Sequence, residues 1–190
     1  MAGNRVTERD RGQTEPVRET TRDGSRHLRA LRGAFEGASP LAIGVTAVGL
    51  VAAVLLVVTE FSTIASVDVA SGSCEVIQDT NPELADRCEL SGFERNGGAF
   101  ILLAVLAGAM AWGAGIGGSR PAAVTLAVVG VAVLAWALLV DLPETNETGV
   151  LGQNFEGATA AAEAGLTIEI VAGALALAAG AVRLLAPARE

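Results

Sequence analysis

The chain has 190 residues, of which 51% are hydrophobic, and a mean hydropathy of +0.48. Because this apolar content exceeds that of an ordinary soluble domain, it excludes that class and makes lipid the expected solvent. The formal net charge of −8 argues against binding to nucleic acid.

The segment before the first apolar run divides into two parts. Residues 1–21 are charged and nearly free of large apolar side chains, which predicts a disordered tail. In residues 22–38, Leu28, Leu31 and Phe35 recur at helical spacing, which predicts a basic amphipathic juxtamembrane helix on the inner leaflet. An unstructured basic segment is the alternative, because Gly24 and Gly33 weaken the helix. Its membrane-surface residues are Arg22, Arg26, Arg29 and Arg32.

Four apolar runs are long enough to cross a hydrocarbon core of roughly 30 Å. Nothing before the first run has the form of a cleavable signal peptide, so that run is expected to act as a signal anchor. The predicted transmembrane domain covers residues 39–186, with residues 187–190 as a short end. Its spans are residues 40–60, 98–116, 121–140 and 165–185.

All thirteen Lys and Arg positions are arginine, and the distribution of these arginines orients the predicted spans. Eleven arginines lie before the first span, between spans two and three, or at the end of the chain (Arg183 and Arg189), and the other two are Arg87 and Arg95. The positive-inside rule therefore places both termini in the cytoplasm of a plasma membrane. Absence of lysine is typical of a GC-rich bacterial genome, so the bacterial plasma membrane is the expected location.

The first extracellular loop, residues 61–97, contains the two cysteines of the chain. The stretch 61–72 predicts a short strand, and Asn81-Pro82 begins a predicted short helix. Cys74 and Cys88 bracket this region in an oxidising compartment, which predicts a disulfide between them. A metal site is the alternative, but two cysteines without a histidine fall short of a zinc set, so no metal is expected.

The spans are rich in glycine and alanine, and small residues allow helix backbones to approach closely in lipid. The four-residue link GGSR, residues 117–120, makes spans two and three an adjacent antiparallel pair. The predicted fold is therefore an all-α membrane protein, a four-transmembrane-helix up-down-up-down bundle with a disulfide-stapled first extracellular loop. Its partners are the lipid bilayer and a protein partner or homo-oligomer, bound through Gly/Ala-rich helix faces.

Catalytic chemistry has little support in the sequence. The single histidine, His27, lies in the tail, so no span supplies an imidazole for haem, copper or base catalysis. There is no lysine, and no glycine-rich phosphate loop occurs. The sequence therefore predicts neither an enzyme nor a bound cofactor.

Four acidic residues lie at membrane depth or close to it. Glu60, Asp141 and Glu163 fall at the outer ends of predicted spans, where they are expected to reach water. Glu169 lies about one helical turn inside span four, roughly 6 Å at a rise of about 1.5 Å per residue. A carboxylate there is expected to face the bundle interior and either take a partner or hold a proton, which makes Glu169 a candidate intramembrane polar site.

Two classes of function follow. The first is an integral membrane structural or accessory protein that presents an acidic extracellular loop for partner contact. The alternative is a small channel or transporter subunit for cations or protons that uses Glu169. The plan of four spans, inner termini and a disulfide in the first outer loop resembles the claudin-type tetraspan layout. No tryptophan lies between Phe61 and Gly97, where that family has its loop motif, so the resemblance is one of topology alone.

Overall fold

A computed structural model describes residues 38–68, 89–148, 153 and 157–186. The predicted tail and juxtamembrane segment lie outside these residues, except for position 38. Cys74, Cys88 and the predicted helix after Asn81 lie outside them as well, so the disulfide stays a prediction.

Four long helices and three short strands account for most of the described chain. In chain order the elements are α1 Pro40–Glu60, β1 Thr63–Asp68, β2 Glu89–Ser91, α2 Gly92–Asn96, α3 Ala99–Gly115, α4 Arg120–Trp136, a π-helical segment Ala137–Asp141, α5 Leu142–Glu144, β3 Thr159–Ala162 and α6 Ala164–Leu185. The chain is thus mostly helical.

Serine and proline begin two of the long helices. The Ser39 hydroxyl accepts a hydrogen bond from the backbone N–H of Ala42 at 3.2 Å, and Pro40 follows at the first helical position. Ser119 accepts in the same way from Ala122 at 3.4 Å before α4. These side chains satisfy a backbone donor that has no partner within the helix, and proline at this point loses no helical hydrogen bond.

The four long helices alternate in direction, and each packs mainly against two neighbours. α1 lies against α3 and α6, and α4 completes the bundle between α3 and α6. Small residues permit a close approach between α4 and α6. A Cβ placed on Gly180 would lie 2.7 Å from both the Ala123 carbonyl oxygen and the Ala127 nitrogen. The predicted Gly/Ala-rich faces are therefore occupied within the chain at this contact.

A three-stranded antiparallel sheet covers one end of the helices, which is called the sheet end below. β1 is central, β2 pairs with one edge, and β3 pairs with the other. In the second pairing Ala65 lies opposite Ala162 and Asp68 opposite Thr159. The prediction of an all-α protein is corrected by this sheet. β1 falls inside the predicted strand 61–72, but the sequence TAAA of β3 has no alternating pattern to predict it.

Within the described residues, three helical stretches are long and apolar enough to cross a membrane: Pro40–Glu60, Arg120–Glu144 and Ala164–Leu185. The second of them continues four residues beyond the predicted end at 140, through the π-helical segment. α3 is apolar but has 17 residues, fewer than the three others. Large apolar side chains such as Leu102 and Leu139, exposed by 74% and 75%, point away from the bundle, as a lipid-facing surface requires.

Candidate functional site: a buried carboxylate cluster

Three carboxylates converge at the sheet end of the bundle. Glu60 is the last residue of α1, Asp141 ends the π-helical segment, and Glu169 lies in the second turn of α6. Their relative exposures are 0%, 1% and 0%. These three side chains are called the carboxylate cluster below. Buried acids are rare in proteins unless they are paired, so each carboxylate requires an account of its partners.

Glu169 has no hydrogen-bond donor among the described residues. Both of its carboxyl oxygens are buried, and neither has a hydrogen-bond partner there. The charged groups that act on it are two other acids, Asp141 first and Glu60 more weakly. Thr167, two residues away, is exposed on another face of the helix. The described charged groups near Glu169 are therefore negative, and none of them is a cation that could pair with it.

Two glycines bring neighbouring elements close to Glu169 on its own helix face. A Cβ placed on Gly165 would lie 2.5 Å from the Thr63 carbonyl oxygen of β1. One placed on Gly173 would lie 2.9 Å from the Leu134 side chain of α4. Because a side chain at either position would push β1 or α4 away, these glycines close the space around Glu169.

One hydrogen-bond donor contacts Glu60. Its Oε1 accepts a hydrogen bond from the backbone N–H of Gly98, while Oε2 has no partner in the described residues. Gly98 is the residue before α3 and has a φ of 87°, in the left-handed region that glycine tolerates. The N-terminus of a helix carries partial positive charge, so the Glu60 carboxylate lies beside a region of opposite sign.

Asp141 is paired with an arginine from the short helix α2. The Arg95 Nε lies 3.3 Å from Asp141 Oδ1, and its Nη2 lies 2.7 Å from Glu144 Oε2. The other oxygen of Asp141, Oδ2, is buried without a hydrogen-bond partner in the described residues. Arg95 thus bridges a buried acid and a partly exposed one.

Local structure positions both members of the Arg95–Asp141 pair. α2 begins with a capping box, in which the Ser91 hydroxyl accepts from the Glu94 backbone N–H and the Glu94 carboxylate accepts from the Ser91 backbone N–H. On the other side, the Leu142 N–H donates to the Ala137 carbonyl, five residues back. The wider π turn changes the helical phase at its end, and there the side chain of Asp141 is buried. Such single turns occur frequently at functional sites.

Glu163 is bound to the sheet. The Ser66 hydroxyl donates to Glu163 Oε1 at 2.6 Å, and the Glu163 backbone N–H donates to the Ile64 carbonyl at 2.9 Å. Glu163 is half-buried and directly precedes α6. These bonds join β1 to the start of the helix that carries Glu169.

The expectation that Glu60 and Asp141 reach water at the helix ends is corrected by the structure. Both are buried, because helix α2 and the sheet lie across the helix ends. Sequence reasoning also missed Arg95 as the partner of Asp141. The sequence held one signal that could have indicated Arg95. It is one of two arginines in the predicted acidic outer loop and lies three residues before the predicted second span.

Metal binding has no support in the described part of the chain. No group of three or more His, Cys, Asp or Glu residues there is arranged to hold a metal ion. The cluster instead offers acceptor oxygens in a buried setting, with Arg95 on one of them. This arrangement is chemically suited to binding a proton.

The fold and the cluster define the class as a mostly helical protein with three candidate membrane-spanning helices and a buried acidic cluster. Comparison of the chain with protein-family models, with curated proteins and with solved structures finds no match.

Proposed function

We propose that the chain is an integral protein of the bacterial plasma membrane that crosses the bilayer four times, with both termini in the cytoplasm. Three stretches have the length and composition of spans. The fourth, α3, is about 25 Å long at about 1.5 Å per residue, and it packs between two of them. Arginine distribution favours the orientation in which the sheet end is outside.

Within that topology, we propose a structural or accessory role in which the outer segments are presented for contact with a partner protein. The observation that carries this role is the pairing of β1 with both β2 and β3. β2 belongs to the first outer loop, and β3 directly precedes the last helix. One sheet therefore unites both outer segments in a single layer over the helix ends.

The loop between β1 and β2 is the part of that layer proposed to meet the partner. Residues 69–88 connect two adjacent antiparallel strands, so both ends of this acidic loop begin at the sheet. Cys88 immediately precedes β2. A disulfide from Cys74 to Cys88 would close the loop close to the sheet and would lower the entropy that the loop loses on binding.

Affinity capture from native membranes tests this role. The intact protein should recover a partner in fixed stoichiometry, and Cys74→Ser/Cys88→Ser should lose it. Ala161→Ser, on exposed β3, is the matched control and should retain the partner. Recovery of the intact protein without a stoichiometric neighbour would contradict the role.

The second candidate, a channel or transporter subunit for protons or cations, is favoured by the convergence of Glu60, Asp141 and Glu169 in one buried place. Purified protein in liposomes should then pass protons or a cation down an imposed gradient. Glu169→Gln should abolish this flux, whereas Glu163→Gln should leave it intact. Absence of flux through the unmodified protein would exclude this candidate.

A further inference from the structure

The carboxylate cluster has fewer hydrogen-bond donors than its buried oxygens require. Four of its oxygens are buried without a hydrogen-bond partner in the described residues: Glu60 Oε2, Asp141 Oδ2, Glu169 Oε1 and Glu169 Oε2. An ionised carboxylate can only accept hydrogen bonds, so the three acids cannot satisfy one another while all are charged. A proton on one of them would create an O–H donor among these oxygens.

We propose that the carboxylate cluster is a proton-binding site, in which Glu169 is protonated in the folded protein at neutral pH and donates a hydrogen bond to Asp141 Oδ2 or Glu60 Oε2. The cluster thereby changes from three negative charges to two. This inference depends neither on partner contact nor on flux, since a proton can be held without being transported.

The proton is assigned to Glu169 because the two other acids already have donors. Glu60 accepts the Gly98 N–H at the start of α3, and Asp141 accepts from Arg95. In both cases a protein donor already contacts one carboxylate oxygen. Glu169 has no such contact among the described residues, and its acidic neighbours Asp141 and Glu60 each have one buried oxygen without a partner there.

Other groups packed against α6 do not supply a positive charge to Glu169. α1 contributes Glu60, and the π-helical segment contributes Asp141. α3 contains no titratable side chain. The remaining described arginines, Arg120 and Arg183, lie at the opposite end of α4 and α6.

Arg95 contacts two acids other than Glu169. Its Nε contacts Asp141 Oδ1, and its Nη2 contacts Glu144 Oε2. The neighbouring amide of Asn96 is buried, but both its nitrogen and its oxygen lack partners within the described chain, so it gives no donor to the cluster. Burial of three ionised acids beside one arginine carries a large desolvation cost, which protonation of one acid reduces.

Infrared spectroscopy of the full-length protein in lipid nanodiscs tests the proposal. The unmodified protein at neutral pH should show the C=O band of a protonated carboxylic acid, shifted on exchange into D2O. Glu169→Gln should remove this band. Glu163→Gln should retain it, because Glu163 is held by Ser66 outside the cluster. Absence of the band, or its persistence in Glu169→Gln, would overturn the proposal.

A second measurement keeps the proposal testable if Glu169→Gln does not fold. Carboxyl-labelled [13C]glutamate in the unmodified chain should shift the acid band, and labelled aspartate should leave it in place. A band that moves with aspartate would assign the proton to another residue and overturn the proposal. If the thermal midpoint rises with Na⁺ in the unmodified protein and the acid band is absent, the cluster binds a cation instead. Loss of partner capture would leave the band unchanged, so the two proposals fail separately.

Discussion

The Nε of Arg183 donates a hydrogen bond to the carbonyl oxygen of Ala114 at 2.8 Å, so the last helix binds the end of α3 opposite the sheet. The same guanidinium donates from Nη2 to the Gly118 carbonyl at 3.2 Å. The final carbonyls of a helix lack partners within it and carry partial negative charge, which a cation stabilises. Arg183 therefore joins α6 to the α3–α4 link.

Replacing Arg183 by Gln should lower the thermal midpoint of the protein in detergent. Loss of hydrogen bonds from a charged donor is expected to cost about 1.5–3 kcal/mol. Arg120→Gln is the control, because it removes the same charge at the same end from an exposed side chain. Equal effects of the two substitutions would show that charge, and not the contact with α3, is responsible.

Gly180→Val should separate α4 from α6. The added Cβ would meet the Ala123 carbonyl and the Ala127 nitrogen at 2.7 Å, and both are backbone atoms. Overpacking of this kind typically costs about 1–3 kcal/mol, seen as a lower thermal midpoint.

Gly44→Ala provides the contrast within the same bundle. A Cβ at Gly44 would have nothing within 4 Å, and alanine has the higher helix propensity by about 1 kcal/mol. This substitution should leave the thermal midpoint unchanged or raise it. Equal destabilisation by both glycine substitutions would contradict the packing of α4 against α6.

Arg95→Gln should destabilise the sheet end more than Glu144→Gln does. The first change leaves the buried Asp141 without its cation, which for a buried pair costs about 3–5 kcal/mol. The second removes a bridge to a side chain that is 39% exposed, worth about 0–1 kcal/mol. Denaturant or thermal unfolding of both variants measures the difference. A larger loss in Glu144→Gln would contradict the pairing.

Stability should depend on pH through the proposed proton at Glu169. If the folded state holds a proton that the unfolded chain releases at neutral pH, the folded state binds more protons. Stability then falls as pH rises. The thermal midpoint of the unmodified protein should therefore decrease above neutral pH, and the midpoint of Glu169→Gln should decrease less. Glu163→Gln should follow the unmodified protein, and parallel curves for all three would oppose the prediction.

The predicted disulfide should protect both cysteines from thiol reagents. A membrane-impermeant maleimide added to intact cells is expected to label the protein after reduction and not before. Cys74→Ser should make Cys88 reactive without reductant, which confirms that the reagent reaches the loop. Labelling of the unmodified protein in the absence of reductant would exclude the bond. Closing about 15 residues contributes on the order of 3 kcal/mol in the chain-entropy model.

The long helices were accessible from the sequence because their signal is local. The first predicted span and α1 share the bounds 40 and 60, set by Ser39-Pro40 and by the run of apolar residues that follows. The short helix α2 also had a readable signal in Ser91 and Glu94, the two residues of its capping box.

The carboxylate cluster could not be assembled from the sequence because it depends on non-local contacts. Glu60 and Asp141 are 81 positions apart, and their burial depends on a sheet whose third strand consists of threonine and alanines. The π-helical turn at Asp141 has no clear sequence signal. Only Glu169 was distinctive, because it interrupts an apolar run.

The position of the cluster along the chain constrains how the protein is assembled. Glu60 ends the first helix, whereas Glu169 and the strand Thr159–Ala162 belong to the last part to be synthesised. Until that part arrives, β1 has an unpaired edge, and Glu60 and Asp141 lack the helix that completes their enclosure. Strand β3 and helix α6, which are adjacent in the chain, therefore complete the edge of the sheet and the enclosure of the cluster together. A chain that ends before residue 159 should accordingly remain incompletely folded at the sheet end.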